Sequence, residues 1–304
     1  MAATVAMSPA ISAASCNNEY AFLEYSSEQK RQKRQHQQDS EQINVKHDAS
    51  WSYCGPLLNS GLGMPTTFDE FARATFTGPV LAKLLPFLDF VNAFLASNGL
   101  HHYFLTVRAT TPTHEFDHPR WHTDDLFFAN LTDGYLPGSR LGGNGQENRT
   151  ADPRTAGTDW KICTTLQGPA TLFIPHKHQS LARETQRQAQ EAASTDHQCL
   201  SIRCVGCASA ADQVREELDA KLASCGVEAA MPGECTFFRV GRDNGAIHSE
   251  PVMSNGQSGR VFVNVVPGTE QELRLLIGKW GMEFPREWWV GSSRGTAPLS
   301  CKTQ

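Results

Sequence analysis

Short runs of aromatic and β-branched residues, each closed by turn residues, constrain this chain more than any other feature. The first is His102-Tyr103-Phe104-Leu105-Thr106-Val107-Arg108. Trp160-Lys161-Ile162-Cys163-Thr164-Thr165-Leu166 and Ala170-Thr171-Leu172-Phe173-Ile174-Pro175 flank a Gln167-Gly168-Pro169 turn and read as strand–turn–strand. Glu234-Cys235-Thr236-Phe237-Phe238-Arg239-Val240, the segment around His248, and Arg260-Val261-Phe262-Val263-Asn264-Val265-Val266 complete the series. Such residues suit a pleated, half-buried surface. The expected fold is mainly β with flanking helices, about eight short strands forming a double-stranded β-helix (a cupin-like jelly roll) rather than a parallel α/β sheet.

The helical signals lie outside these runs. Thr67 and Glu70 form a capping-box pattern, and residues 79–97 carry Phe87, Val91, Phe94 and Leu95 at helical spacing, with Gly99 as a stop and Pro86 as a kink or break. Thr269 and Glu272 cap a last helix that ends near Trp280. Residues 177–230 interrupt the strands as a polar insertion, with helical pieces at 181–193 and 211–224, expected to project from one edge. Residues 1–50 are rich in Gln, Ser and charge and read as a disordered tail, so 51–304 is expected to be one jelly-roll domain. The Gly/Asn/Asp-rich stretch 131–158 is long enough to act as a lid over a pocket.

Composition narrows the function classes. A net charge of -5 and a pI near 6.1 give no footing for nucleic acid, and the basic run at 30–34 sits in a solvated polar tail. Nine cysteines spread along the chain do not form a disulfide framework. The N-terminus has no basic region ahead of its apolar residues, and no apolar run approaches a bilayer span. A reducing, cytoplasmic setting without a membrane partner is expected; the sequence sets no oligomeric state. Cys199, Cys204 and Cys207 offer three thiols for zinc, but only one Cys-x-x-Cys is present and reduced thiols in a loop or strand explain it equally.

The chemistry concentrates at Trp121-His122-Thr123-Asp124-Asp125. Side chains alternate along an extended segment, so His122 and Asp124 project together while Asp125, the rival carboxylate, points away. His248, from a distant segment, adds a second imidazole. Two histidines and one carboxylate on one face of an octahedron suit ferrous iron and leave positions for a cosubstrate and O2. Arg108, on the strand just upstream, and Trp121, Phe127 and Phe128, which flank the motif, are candidate substrate contacts; an edge-strand arginine paired with a nearby acid, and core packing of the three rings, are the alternatives.

The order of these pieces over residues 100–270 resembles the iron(II)/2-oxoglutarate-dependent oxygenases, particularly relatives of prolyl hydroxylase and phytanoyl-CoA hydroxylase. The likeness rests on His122-x-Asp124, the Gly168 turn into Thr171-Leu172-Phe173, Pro232-Gly233 ahead of Phe238, and His248 followed 12 residues later by Arg260. It implies metal ligation by His122, Asp124 and His248. It also implies that Arg260 pairs with the far carboxylate of 2-oxoglutarate, with Fe(II) and O2 completing a dioxygenase that oxidises an unactivated C–H bond. Many members place Ser or Thr two residues after the arginine; here Phe262 stands there, and Thr165, Tyr103 and Lys161 are the alternative helpers. A small metabolite, such as an amino acid or secondary-metabolite intermediate, is the expected substrate, by hydroxylation, cyclisation or desaturation. A protein side chain is the second choice, and a non-catalytic jelly-roll binding protein with a vestigial metal site the third.

Overall fold

The computed structural model describes residues 18–26, 42–113, 117–128, 159–193, 205–253 and 259–291. Its framework is a seven-stranded antiparallel sheet. The strands in chain order are β1 (Tyr20–Glu24), β3 (Ala49–Pro56), β5 (His102–Thr110), β6 (Trp160–Gln167), β9 (Glu234–Arg239), β11 (Arg260–Gly268) and β12 (Arg286–Gly291). They lie side by side as β1-β9-β6-β11-β5-β3-β12. A second, three-stranded antiparallel sheet has the order β10-β7-β8, from β7 (Leu172–Phe173), β8 (Glu228–Ala229) and β10 (His248–Ser249). A small pair joins β2 (Asn44–Val45) to β4 (Phe76–Thr77).

Strand alternation assigns the two faces of the large sheet. Val261, Val263 and Val265 of β11, with Leu105, Val107 and Ile162, face outward onto helices α1 (Thr66–Thr75) and α2 (Val80–Ser97). On α2, Leu84, Phe87, Leu88, Val91 and Leu95 recur at helical spacing and are buried there. Cys163, Phe238 and Tyr20, on the opposite face, meet Phe173 and Ala246 and join the large sheet to the small one. Helix α5 (Glu270–Gly278) closes one end, its first turn held by the Thr269–Glu272 capping box.

Helices α3 (His176–Ala193) and α4 (Val205–Leu222) do not project from an edge as expected. They cover the outer face of the small sheet, where Ala182, Leu218 and Leu222 pack on Ile174 and Ile247. Four further expectations are corrected. Residues 160–175 form no hairpin: β6 pairs with β9 and β11, whereas β7 pairs with β10 and β8, so the Gly168 turn carries the chain from one sheet to the other. The tail read over 1–50 contains β1, an edge strand on β9 whose Tyr20-Ala21-Phe22-Leu23 run supplies the apolar side chains. Thr67 caps nothing; α1 begins behind Pro65, and the Thr67 hydroxyl instead accepts from Trp51 Nε1 (2.9 Å) and donates to Glu287 (2.8 Å). Helix α2 is long and apolar enough for a bilayer span by length and composition, and it is continuous through Pro86, but one face is core against the sheet. The proposed lid at 131–158 lies outside the described residues.

A candidate metal centre

Backbone pairing brings the two histidine segments together. His122 and His248 face each other as an antiparallel bridge, His122 N–H donating to His248 O (2.9 Å) and His248 N–H to His122 O (3.0 Å). Directly opposed residues project to the same side, so the two rings meet with centroids 4.4 Å apart. Asp124, two residues along, returns to that side. Its Oδ1 lies 3.8 Å from His122 Nε2 and its Oδ2 3.7 Å from His248 Nε2, and one ligand atom from each of the three falls within 4.8 Å of the others. Asp125 points out: its side chain is 84% exposed, 3.7 Å from Arg242.

The donor chemistry fits a divalent cation. His122 Nδ1 lies 2.7 Å from Arg120 O and His248 Nδ1 lies 3.0 Å from Ala246 O. A carbonyl can only accept, so each Nδ1 carries the proton and each Nε2 presents a lone pair to the space beside Asp124. Burial opposes ionisation of Asp124, but Lys161 and the two histidines outweigh it and hold the carboxyl well below the usual carboxylate range. Burial, helped by the nearby His122, pushes His248 down to about 4, so at neutral pH it is the uncharged imidazole a metal needs. Phe173 and Phe238 press on the His248 ring at centroid distances of 5.6 and 4.8 Å and close its apolar side.

Lys161 reaches in from β6 and donates to Asp124 Oδ2 at 2.7 Å, its ammonium 5.7 Å from the centre of Phe127 and 5.5 Å from that of Phe238. The carboxylate is therefore anchored from one side and lined by imidazoles on the other. Its two oxygens have lone pairs enough for both tasks.

Arg260 projects to the same side of the large sheet as Cys163 and Lys161, the side that carries this centre. Gly168 presses on it: a Cβ there would come within 3.0 Å of Arg260 Cα and Gly259 O, and its φ of +85° also favours glycine. The Arg260 side chain, 7% exposed, donates from Nε to Pro169 O (3.0 Å) and from Nη2 to Thr171 Oγ1 (2.9 Å), and stacks on Phe262. Thr171 stands two residues before Phe173, which opposes His248 in the ladder. Thr171, Phe173 and His248 thus share a face, and Arg260 is anchored roughly 7 Å of strand from the His248 position. Among the described residues no carboxylate forms a close ion pair with this guanidinium, although Glu250 acts on it at longer range; burial outweighs that and lowers its pKa to about 10.

The other sequence candidates divide. Phe127 lies beside Lys161 at the centre. Trp121 does not line it: as the neighbour of His122 it points the opposite way, into the cluster with Ile174 and Ala182. Phe128 is also core, packed on Val266 and Leu273. Arg108 is exposed on β5, opposite Phe262 in the ladder and so on the face that carries Arg260, where it lines an open cleft with Asp48 and Ser50. Of the helper alternatives, Tyr103 faces the outer core and its hydroxyl accepts from Leu58 N–H, Lys161 is on Asp124, and Thr165 opposes Phe262. The arginine's hydroxyl partner is Thr171, which the Thr-x-Phe pattern contained without marking. The side chains of Cys199, Cys204 and Cys207 lie outside the described residues.

No family model matches the sequence, and no curated protein matches it at a significant level.

Proposed function

We propose that this protein is an Fe(II)- and 2-oxoglutarate-dependent oxygenase acting on a small metabolite, and that its two sheets form a double-stranded β-helix. One observation carries the reading: a two-histidine, one-carboxylate cluster with both Nδ1 atoms engaged shares a side of the large sheet with a buried guanidinium that has no close ion pair to a carboxylate among the described residues, Glu250 acting on it only at longer range. A buried cation without an anion is costly, and a carboxylate-bearing ligand relieves that cost.

In this reading His122, Asp124 and His248 hold the metal through Nε2, a carboxylate oxygen and Nε2. Bound iron supplies O2 activation coupled to decarboxylation of the 2-oxo acid, giving succinate and CO2, and oxidation of a substrate C–H bond. The protein's own work is placement. Arg260 takes the far carboxylate as a planar, two-pronged donor, with Thr171 fixing the fork's orientation. Phe173 and Phe238 keep water from one side of His248, and Lys161 fixes the Asp124 rotamer. Arg108, exposed on the same face of the sheet, is placed to meet an anionic group on the substrate. Four buried free thiols among the described residues suit a reducing, cytoplasmic setting.

A second reading has its own observation. The Lys161–Asp124 ion pair already neutralises the carboxylate, as a metal-free binding protein with a relic site would require. Succinate release separates the two. Protein with Fe(II), ascorbate and 2-oxoglutarate should release succinate, and His122→Ala should abolish it. Turnover that survives His122→Ala would sink the oxygenase reading.

A further inference from the structure

The helical pair α3–α4 sits behind the candidate metal centre, and its contacts fall on the residues next to the ligands. Gln179 of α3 is 0% exposed. Its amide donates to Ile174 O (2.7 Å) and Ile247 O (3.1 Å), and its Oε1 accepts from Ile247 N–H (2.8 Å). Ile247 immediately precedes His248. Past His248 the β7–β10 ladder continues through Ile174 N–H donating to Ile247 O (3.2 Å), and the glutamine side chain supplies further bonds at that point. Seven residues on, two helical turns along the same face, Gln186 Nε2 donates to Thr123 Oγ1 (3.4 Å). Thr123 stands between His122 and Asp124. Between the glutamines, buried Ala182 packs in the cluster that holds Trp121, the residue before His122, together with Ile247.

Strand alternation explains the pattern. The ligands point into the space between the sheets, so their chain neighbours Trp121, Thr123 and Ile247 point out, where α3 and α4 receive them. A buried glutamine is unfavourable unless its polar atoms are satisfied, and Gln179 spends both ends of its amide on the main chain beside a ligand.

We propose that helix α3 is a positioning element of the metal centre, in which Gln179 and Gln186 lock the His248 segment and the His122–Asp124 segment to one rigid body and so set the spacing between ligands. This rests on the metal-centre reading and adds to it a role for the insertion. The metal contact remains with His122, Asp124 and His248; the glutamines act through them.

The test is Co(II) titration of the full chain followed by its visible absorption, with Gln179→Met and Gln186→Met against wild type. Removing partners that orient ligands weakens metal binding by about 10- to 100-fold; Gln179→Met is expected in that range with an altered spectrum, and Gln186→Met with a smaller loss. Gln188→Met, on the exposed side of α3 where Gln188 donates only to Glu184 among the described residues, should match wild type. Phe87→Ala, in the core beyond the large sheet, should lower thermal stability yet leave Co(II) affinity within about twofold, which separates positioning from general destabilisation. Should Gln179→Met fail to fold, Gln186→Met carries the test. Wild-type affinity and spectrum in the folded variants would overturn the proposal. If wild type itself bound no Co(II), the metal-centre reading would fall, and hydrogen exchange would still judge the brace. Gln179→Met should then speed exchange at residues 121–124 as well as at Ile247, and unchanged exchange at 121–124 would refute the coupling.

Discussion

Replacing Arg260 by Met should separate stability from ligand binding in a way few buried residues allow. Burial holds the guanidinium near a pKa of about 10 against an ordinary 12.5, equivalent to about 3 kcal/mol against the charged form, present in full below pH 10. Against that stand two hydrogen bonds from a charged donor, to Pro169 O and Thr171 Oγ1, worth roughly 1.5–3 kcal/mol each. The terms nearly cancel, so Arg260→Met should change the stability of the ligand-free protein by no more than about 2 kcal/mol. Binding responds differently. Losing a buried partner for a carboxylate costs about 3–5 kcal/mol, a fall of roughly two to four orders of magnitude in affinity for 2-oxoglutarate. Thermal unfolding with Co(II) in place of iron reads both quantities. At a 2-oxoglutarate concentration about 100 times its Kd, wild type gains about 2.7 kcal/mol, or roughly 5–10 °C, whereas a variant weakened a hundredfold gains about 0.4 kcal/mol and barely shifts. A wild-type shift retained by Arg260→Met would refute the anion-site argument. Ligand-free unfolding lowered by much more than 2 kcal/mol would show the guanidinium to be structural.

Lys161→Met should tighten Co(II) binding at least tenfold in titration: unit charges about 4 Å apart interact by up to about 4 kcal/mol near a protein surface, and a third of that is a factor of ten. Weaker binding would mean that Lys161 organises Asp124 more than it competes with the metal. His248 links stability to acid in the metal-free protein. Its folded pKa of about 4 lies below the ordinary 6.5, so its contribution is complete above pH 6.5 and drains away as pH falls to 4, by up to about 3 kcal/mol. Urea midpoints across that window should fall in wild type, and His248→Leu should lack this part of the fall. Phe87→Ala should cost about 3–5 kcal/mol in urea unfolding, because the ring is fully enclosed between α2 and the large sheet; a loss under 1 kcal/mol would contradict that packing.

Local rules carried much of this structure, and each failure has a physical source. Period-two alternation put Asp125 on the face opposite Asp124, where it is found, and the Thr269–Glu272 box starts a helix as its spacing requires. The same alternation argues against Trp121 as a pocket residue, since it adjoins His122 and points into the core with Ile174 and Ala182. Sheet membership was hidden, because β6 and β7 look like a hairpin whether they pair or diverge, and only the partners β9, β10 and β11 distinguish the cases. β1 is a faint signal of five residues, set between an Ala/Ser-rich start and a long Gln- and charge-rich run. Helix α3 hid most. Its buried face is Gln179, Ala182, Thr185, Gln186 and Ala189, which reads as solvent-facing by hydropathy, although its polar atoms are matched to main chain and hydroxyl groups. Likewise the His122–His248 bridge joins segments 126 positions apart, a pairing that no local pattern encodes.

The most direct test is an anaerobic titration of the full chain with Fe(II) and then 2-oxoglutarate, followed by visible absorption. One equivalent of iron should be retained, and 2-oxoglutarate should then raise the charge-transfer band of an iron–2-oxo acid chelate. The band should vanish in His122→Ala and need far more 2-oxoglutarate in Arg260→Met. Iron that is not retained, or a band of undiminished intensity in His122→Ala, would contradict the assignment of this centre.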